Sequence, residues 1–197
     1  MQTIVVATAN PSKLGELKAI LSDLDAQLLP QSELGVRSVE ENGLSFVENS
    51  LIKARHASAT TNLPAIADDS GLVVEILGGA PGIYSARYAG KDAKDADNLE
   101  RLLSELAAYD GDKFDAYFHC AATYLRHTHD PTPIIAEADW HGYIIRKPRG
   151  KDGFGYDPLF YLPELNCTAA QLSAATKNRL SHRALAFRKL CTQLQQM

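Results

Sequence analysis

Two adjacent acidic residues inside an apolar stretch constrain the fold of this chain more than any other feature. The stretch is residues 64–79 (PAIADDSGLVVEILGG), in which Asp68 and Asp69 separate two apolar runs. The pattern predicts a strand, a tight turn and a second strand. A carboxylate that leaves water is costly unless something neutralises it. A divalent cation such as Mg²⁺ would do so, and a turn whose Asp and Ser side chains cap backbone donors is the alternative.

Length, charge and cysteine content narrow the class of protein. A chain of 197 residues suits one domain, or one domain with two lobes. A net charge of −4 provides no general basic field, so no nucleic-acid polymer is expected as a partner. Three widely spaced cysteines argue against a disulfide framework. Because neither a signal peptide nor a long apolar segment is present, we expect a cytoplasmic, soluble protein that does not enter membranes.

The first residues predict a strand, a polar turn and a helix. Residues 3–7 (TIVVA) are β-branched and apolar, as in a buried strand. Asn10 suits an N-cap and Pro11 a first helical position. The free N–H groups of such a helix start favour an anion. Lys13 in the first turn would then meet a phosphate, the simpler interpretation being a solvated lysine.

Short strands at residues 27–29 and 36–39 and a helix over residues 46–59 are predicted next. Ser45 and Glu48 match a capping box at the start of that helix.

Four charged residues in this region have two interpretations. Glu40 and Glu41 precede a loop and suit either metal ligands or a solvated turn. Lys53 and Arg55 lie in the middle of the predicted helix, where solvation is the simpler expectation.

The second half of the chain predicts a helix after residues 92–97 and strands over residues 114–125 and 134–140. His141 and Gly142 are predicted to break the second of these strands.

A glycine-rich loop and a basic cluster lie near the carboxyl end. Phe154 and Tyr156 belong to the loop of residues 148–158, where aromatic faces suit a flat heterocycle and Asp157 suits its ring N–H groups. An aromatic anchor in an ordinary turn is the alternative.

The cluster of Lys177, His182 and Arg183 opens the last predicted helix, with Ser181 as its cap. A cluster of this kind would favour an anion or a carbonyl-rich ring.

Strands that alternate with helices predict an α/β fold with a mixed, twisted sheet and flanking helices. The helix start, the acids, the aromatic loop and the basic cluster together suit a nucleoside triphosphate with Mg²⁺. Neither GxxxxGK[ST] nor GxGxxG follows the first strand, which argues against P-loop and Rossmann proteins.

Six motifs, in one order, resemble the inosine/xanthosine triphosphate pyrophosphatase family. They are TANPSK at 8–13, EENG at 40–43, ADDSGL at 67–72, GAPGIYSARY at 79–88, GFGYDP at 153–158 and SHR at 181–183. The similarity extends over nearly the whole chain and is greatest to bacterial members that act on dITP and XTP. One departure is Ala9, which stands where the family commonly has glycine.

The resemblance implies hydrolysis of deaminated purine triphosphates (ITP, dITP, XTP) to the monophosphate and pyrophosphate, which removes them from the nucleotide pool. It also implies one domain over residues 1–197 with two lobes, a substrate cleft between the lobes, a homodimer and Mg²⁺.

The same resemblance implies roles for individual residues. Asp69 would accept a proton from water and bind metal with Glu40, although Glu41 stays an alternative, and Asp68 would assist. The residues implied to bind substrate are Thr8, Ala9, Asn10, Pro11, Ser12, Lys13, Lys53, Ser70, Phe154, Gly155, Tyr156, Asp157, Lys177, His182 and Arg183.

Two expectations follow from these roles. Adjacent Asp68 and Asp69 should titrate together, with one pKa raised unless metal is bound. His182 and Arg183, through side chains or backbone N–H groups, are candidates to donate to the 6-keto oxygen that distinguishes inosine from adenosine.

Other functions stay open: a pyrophosphatase for modified pyrimidine or methylated nucleotides, a non-catalytic nucleotide-binding module, or a structural protein. The acids argue against a binding module, because a binder gains nothing from an acid that faces the scissile phosphate.

Overall fold

A mixed β-sheet with flanking helices forms the framework and confirms the predicted α/β class. The computed structural model describes residues 2–8, 10–22 and 24–196, the side chain of Pro11 excepted. The strands in this part of the chain are β1 (Gln2–Val6), β2 (Ala26–Pro30), β3 (Ala65–Val74), β4 (Lys113–Leu125), β5 (Ile134–Ile145), β6 (Phe160–Leu162) and β7 (Cys167–Thr168). The helices are α1 (Pro11–Ile20), α2 (Phe46–Thr61), α3 (Asp95–Leu106), α4 (Ala174–Leu180) and α5 (His182–Leu194).

The strands pair in the order β2-β1-β3-β4-β5-β6-β7. The sheet is mixed because β1 is parallel to β2 and β3, whereas β6 is antiparallel to β5 and β7. None of the helices in the described part of the chain is long and apolar enough to cross a membrane.

The chain divides into two compact units, each with its own apolar core. The first comprises residues up to 69, 120–138 and from 182 onward, and the second comprises residues 70–119 and 139–181. In the first, Leu17 and Phe187 belong to one buried cluster with Ile66. In the second, Leu102 and Phe160 belong to another. The prediction of a single domain with two lobes stays a prediction.

The predicted turn at Asp68 and Asp69 is wrong, because β3 runs through both residues without a break. Side chains alternate between the two faces of a strand. Ile66 and Asp68 therefore share one face, and Ala67 and Asp69 share the other. Both carboxylates stay inside the strand because helices supply cations to each face, as described below.

Two further predictions about strands are wrong. Residues 36–39 form no strand, and Gly142 does not interrupt β5. A Cβ atom at Gly142 would lie 2.6 Å from the carbonyl oxygen of Tyr161. Glycine at this position therefore permits a close approach of two chain segments rather than a turn.

The predicted helix starts are confirmed. Asn10 caps α1, and its side-chain oxygen accepts from the N–H groups of Ser12 and Lys13 at 2.9 and 3.2 Å. Ser45 caps α2 and accepts from the N–H of Glu48 at 3.2 Å.

Candidate functional site

The carboxylate of Asp68 is buried between cations from two helices. Lys13 of α1 lies with its Nζ 3.1 Å from Asp68 Oδ2, and Arg183 of α5 places its Nε 3.3 Å from the same oxygen. The Arg183 guanidinium also bonds Glu16, again from α1. This face of β3 thus carries a buried network of alternating charges, which burial strengthens electrostatically.

The neighbouring cations decide the charge of Asp68. Burial raises the pKa of its carboxyl, but the charges of Lys13, Arg183 and Lys53 outweigh burial and hold the pKa well below its usual range. The expectation that adjacency raises the pKa of one acid is therefore wrong for Asp68. Its surroundings, more than its acidic neighbour, set its ionisation.

The carboxylate of Asp69 faces α2 instead. Lys53 donates from Nζ to Asp69 Oδ1 at 2.8 Å, and Asn49 donates from Nδ2 to Oδ2 at 3.3 Å. Asn49 and Lys53 are four residues apart, so they occupy one face of the helix. Lys53 also lies 3.2 Å from Glu41 Oε1, so one ammonium group serves two carboxylates.

For Lys13, Lys53 and Arg55 solvation was the simpler interpretation, but all three side chains bond to other residues of the protein. The side chains of Lys13 and Lys53 are only 16% and 14% exposed. Burial lowers the pKa of Lys53, yet Asp69, Asp68 and Glu41 raise it further than burial lowers it, so Lys53 stays charged at neutral pH. Arg55 donates to the carbonyl oxygen of Thr128 at 2.5 Å.

The predicted metal ligands are distributed over different places. Asp68 and Asp69 face opposite sides of β3, Glu41 shares Lys53 with Asp69, and Glu40 is exposed. Among the residues that the structure describes, no group of three or more His, Cys, Asp or Glu side chains is arranged to hold a metal ion. The structure thus gives Glu41 and Asp69 one cation as a direct partner, Lys53, and the charge of Asp68 also acts on that cation.

The segment predicted to bind phosphate forms the turn between β1 and α1. Thr8 accepts from the N–H of Asn10 through Oγ1 at 3.2 Å, which fixes the turn before the helix. Ala9 lies outside the described residues, as does the side chain of Pro11, so the expectations for them stay predictions.

An aromatic cluster in the second unit contains most of the residues predicted to recognise the base. Asp157 Oδ2 accepts from Lys177 Nζ at 2.5 Å and from the N–H of Phe154 at 2.9 Å. The same ammonium lies 4.4 Å from the centre of the Phe154 ring. Gly153 has a φ of +79°, and a Cβ there would lie 2.1 Å from Asp157 Oδ2. The loop therefore requires glycine at this position.

Two further bonds hold this loop. Tyr156 donates from its hydroxyl to the carbonyl oxygen of Ser85 at 2.9 Å. The N–H of Gly155 donates to Asp95 Oδ2 at 2.6 Å.

Lys177 and Arg183 of the predicted basic cluster bond different carboxylates. Lys177 pairs with Asp157 in the second unit, whereas Arg183 pairs with Asp68 and Glu16 in the first. His182 is buried at the start of α5. Ser70 follows Asp69 in β3 and is half-buried.

Sequence reasoning missed Asn49, Glu16 and Asp95. A signal existed for Asn49, because asparagine is a poor helix former and stands one turn before Lys53 on the same helix face. Glu16 and Asp95 resemble ordinary helix-surface acids in the sequence, and only the fold reveals their partners.

The fold and these charge networks define an α/β protein in which carboxylates are paired with cations from neighbouring helices. The model of the Ham1 family matches residues 4–193, and the chain belongs to this family. This finding confirms the resemblance that the six motifs indicate.

Named relatives extend the comparison. The chain is 54% identical over 190 residues to the dITP/XTP pyrophosphatase of Photorhabdus laumondii, with 96% of each chain covered. It is 53% identical over 190 residues to the dITP/XTP pyrophosphatase of Escherichia coli O157:H7, again with 96% of each covered. Among solved structures, a HAM1 protein from Coxiella burnetii matches with a TM-score of 0.93 at 48% identity, with both chains fully covered.

Proposed function

We propose that the protein hydrolyses the deaminated purine triphosphates dITP, ITP and XTP to the nucleoside monophosphate and pyrophosphate. The names of its relatives agree with this activity. The structural observation that carries the proposal is the carboxylate of Asp69, oriented by Asn49 and Lys53 from one helix face. A fixed carboxylate beside a lysine suits a base that takes a proton from water next to a bound phosphate.

The protein's own groups divide the work of phosphate chemistry. Asp69 orients the attacking water and accepts its proton, while Lys53 donates to a phosphate oxygen. Thr8, Asn10, Ser12 and Lys13 surround the start of α1, where backbone N–H groups favour an anion.

Mg²⁺ is the proposed metal, and the residues present fit it. Carboxylate oxygens suit this ion, and the two carboxylates that flank Lys53 mark a place that takes positive charge. Asp69 with Glu40 or Glu41 would hold the ion, and Asp68 is the weaker candidate because it faces away from them. When bound, Mg²⁺ polarises phosphoryl oxygens and neutralises their charge.

The aromatic cluster of the second unit is the proposed base-recognition element. Phe154 offers a ring for stacking, and Asp157 with Lys177 holds the loop that carries it. His182 and the backbone N–H of Arg183 are the candidate donors to a 6-keto oxygen, because the Arg183 side chain is already bonded to Glu16 and Asp68. Adenine would place a donor against these donors, at a cost of about 1–3 kcal/mol.

A homodimer, a single two-lobed domain and a cytoplasmic location complete the proposal, on the strength of the family resemblance. Light scattering coupled to gel filtration tests the dimer.

Pyrophosphate release from ITP, XTP, GTP and ATP, with Mg²⁺ and with chelator, tests the function. Metal-dependent release from ITP and XTP but not from GTP or ATP is expected. Equal release from all four would retain the chemistry and reject the proposed base selection. Release from none would direct attention to modified pyrimidine nucleotides and then to a binding module.

A further inference from the structure

We propose that Asn49 is a positioning residue that ties the loop of residues 40–43 to the carboxylate of Asp69. Its side chain is completely buried. Nδ2 donates to Asp69 Oδ2 at 3.3 Å, and Oδ1 accepts from the N–H of Gly43 at 2.9 Å. A carboxylate only accepts and a backbone N–H only donates, so these partners determine which way the amide faces.

The loop packs closely against this amide. A Cβ atom at Gly43 would lie 2.8 Å from Asn49 Oδ1 and 2.6 Å from Glu48 Cβ. Glycine is therefore needed for the loop to reach the start of α2. The same loop carries Glu41, whose carboxylate lies 3.2 Å from Lys53.

Lys53 and Asn49 thus both join the loop to Asp69, and a bound substrate would affect the two contacts differently. Lys53 links Glu41 to Asp69 through charge. On the proposed function, on which this inference rests, an anionic substrate competes for that ammonium group. The neutral amide of Asn49 has no such competitor. It therefore holds Asp69 and the loop in place while Lys53 engages the phosphates.

The identity of the side chain matters for the same reason. An aspartate at position 49 would still accept from Gly43, but it would lose the donor to Asp69 and place a second negative charge beside that carboxylate. An alanine would leave the N–H of Gly43 without its acceptor.

The test compares Asn49→Asp and Asn49→Ala with Asn98→Ala. Asn98 is a matched control in the second unit, since it is also a buried amide that accepts from one backbone N–H (Ala89, 2.8 Å) and donates to another group (Ala86 O, 3.3 Å). Two measurements are made on the full chain: the split between kcat and KM, and hydrogen exchange at the Gly43 amide.

Loss of orientation should reduce kcat by about 10- to 100-fold in both Asn49 variants, with a smaller change in KM. Asn49→Ala should also accelerate exchange at Gly43. In Asn49→Asp exchange at Gly43 should stay close to that of wild type, because the aspartate keeps the acceptor, so its loss of kcat isolates the lost donor to Asp69.

Asn98→Ala should lower stability but leave kcat and the Gly43 exchange unchanged. A kcat of Asn49→Asp within a few-fold of wild type together with unchanged exchange in Asn49→Ala would overturn the proposal. Asn49→Ala alone decides it if Asn49→Asp does not fold. If the wild-type chain releases no pyrophosphate, the proposed function fails, and exchange at Gly43 still decides whether Asn49 holds the loop.

Discussion

Asp68 and Asp69 are neighbours in β3, yet their carboxylates have different surroundings. Asp68 meets Lys13 and Arg183, which come from α1 and α5. Asp69 meets Asn49 and Lys53 on α2, and it shares the lysine with Glu41. The Asp68 carboxylate is completely buried between cations from two helices, whereas the Asp69 carboxylate is 8% exposed and meets a cation and a neutral amide from one helix.

The difference teaches that adjacency in sequence does not imply shared chemistry. A strand sends consecutive side chains to opposite faces, so each acid meets a different set of helices. Asp68 has the surroundings of a structural anion that joins α1 and α5 to the sheet. Asp69 is the one that we propose to be reactive, because a neutral amide orients it beside Lys53.

The largest expected effect is a loss of activity on substitution of Asp69, which distinguishes Asp69 from Asp68. Asp69→Asn should reduce kcat by a factor of about 10² to 10⁴, the usual contribution of a general base. Its fold should persist, because Lys53 keeps Glu41 as a partner. Pyrophosphate release and thermal unfolding measure the two quantities. Activity that survives within a few-fold would show that Asp69 is not the base.

The same change at the neighbouring position should act on stability instead. Asp68→Asn removes a charge from buried Arg183 and Lys13, and breaking a buried pair costs about 3–5 kcal/mol. We expect the lower end, about 3 kcal/mol, because Arg183 keeps Glu16. Urea unfolding measures the loss, and exposed Asp110→Asn is the control. If Asp68→Asn loses no more unfolding free energy than the control, Asp68 does not have the proposed structural role.

A third substitution tests the cation that Asp69 and Glu41 share. Lys53→Met keeps most of the side-chain length but removes the ammonium group. We expect kcat/KM to fall about 10- to 100-fold, which corresponds to one bond to a charged group. The exposed Lys18→Met is the matched control and should have no effect. Equal kcat/KM in both variants would argue that Lys53 only neutralises carboxylates.

Local signals predicted the fold well where one residue type has one structural meaning. Asn10 and Ser45 cap their helices as predicted, because the capping bonds are made within four residues. The predictions of a turn at Asp68 and a break at Gly142 were wrong because residues distant in the sequence determine the structure there. Acids and glycine usually favour turns, but here distant cations and a neighbouring chain segment explain them.

The candidate site was predictable as a set of residues rather than as a set of contacts. The motifs identified Asp69 and Arg183, and the resemblance added Lys53, but the partners of Arg183 lie 115 and 167 residues away along the chain. No periodicity carries information over such separations. Asn49 was missed because a buried amide has no motif of its own, although its spacing from Lys53 places both on one helix face.

The smallest expected effect is a change in stability at acid pH, and it follows from the lowered pKa of Asp68. Its pKa in the folded protein lies below the ordinary value of 3.8. The ionised carboxylate therefore stabilises the fold at pH above 3.8, and this contribution is lost as the pH falls below that value. Asp68→Asn has no proton to bind at this position, so it lacks the contribution at every pH. The difference in unfolding free energy between wild type and Asp68→Asn should therefore narrow between pH 5 and pH 2. A constant difference over this range would mean that Lys13 and Arg183 do not hold Asp68 ionised, and the contrast between the two carboxylates would then rest on geometry alone.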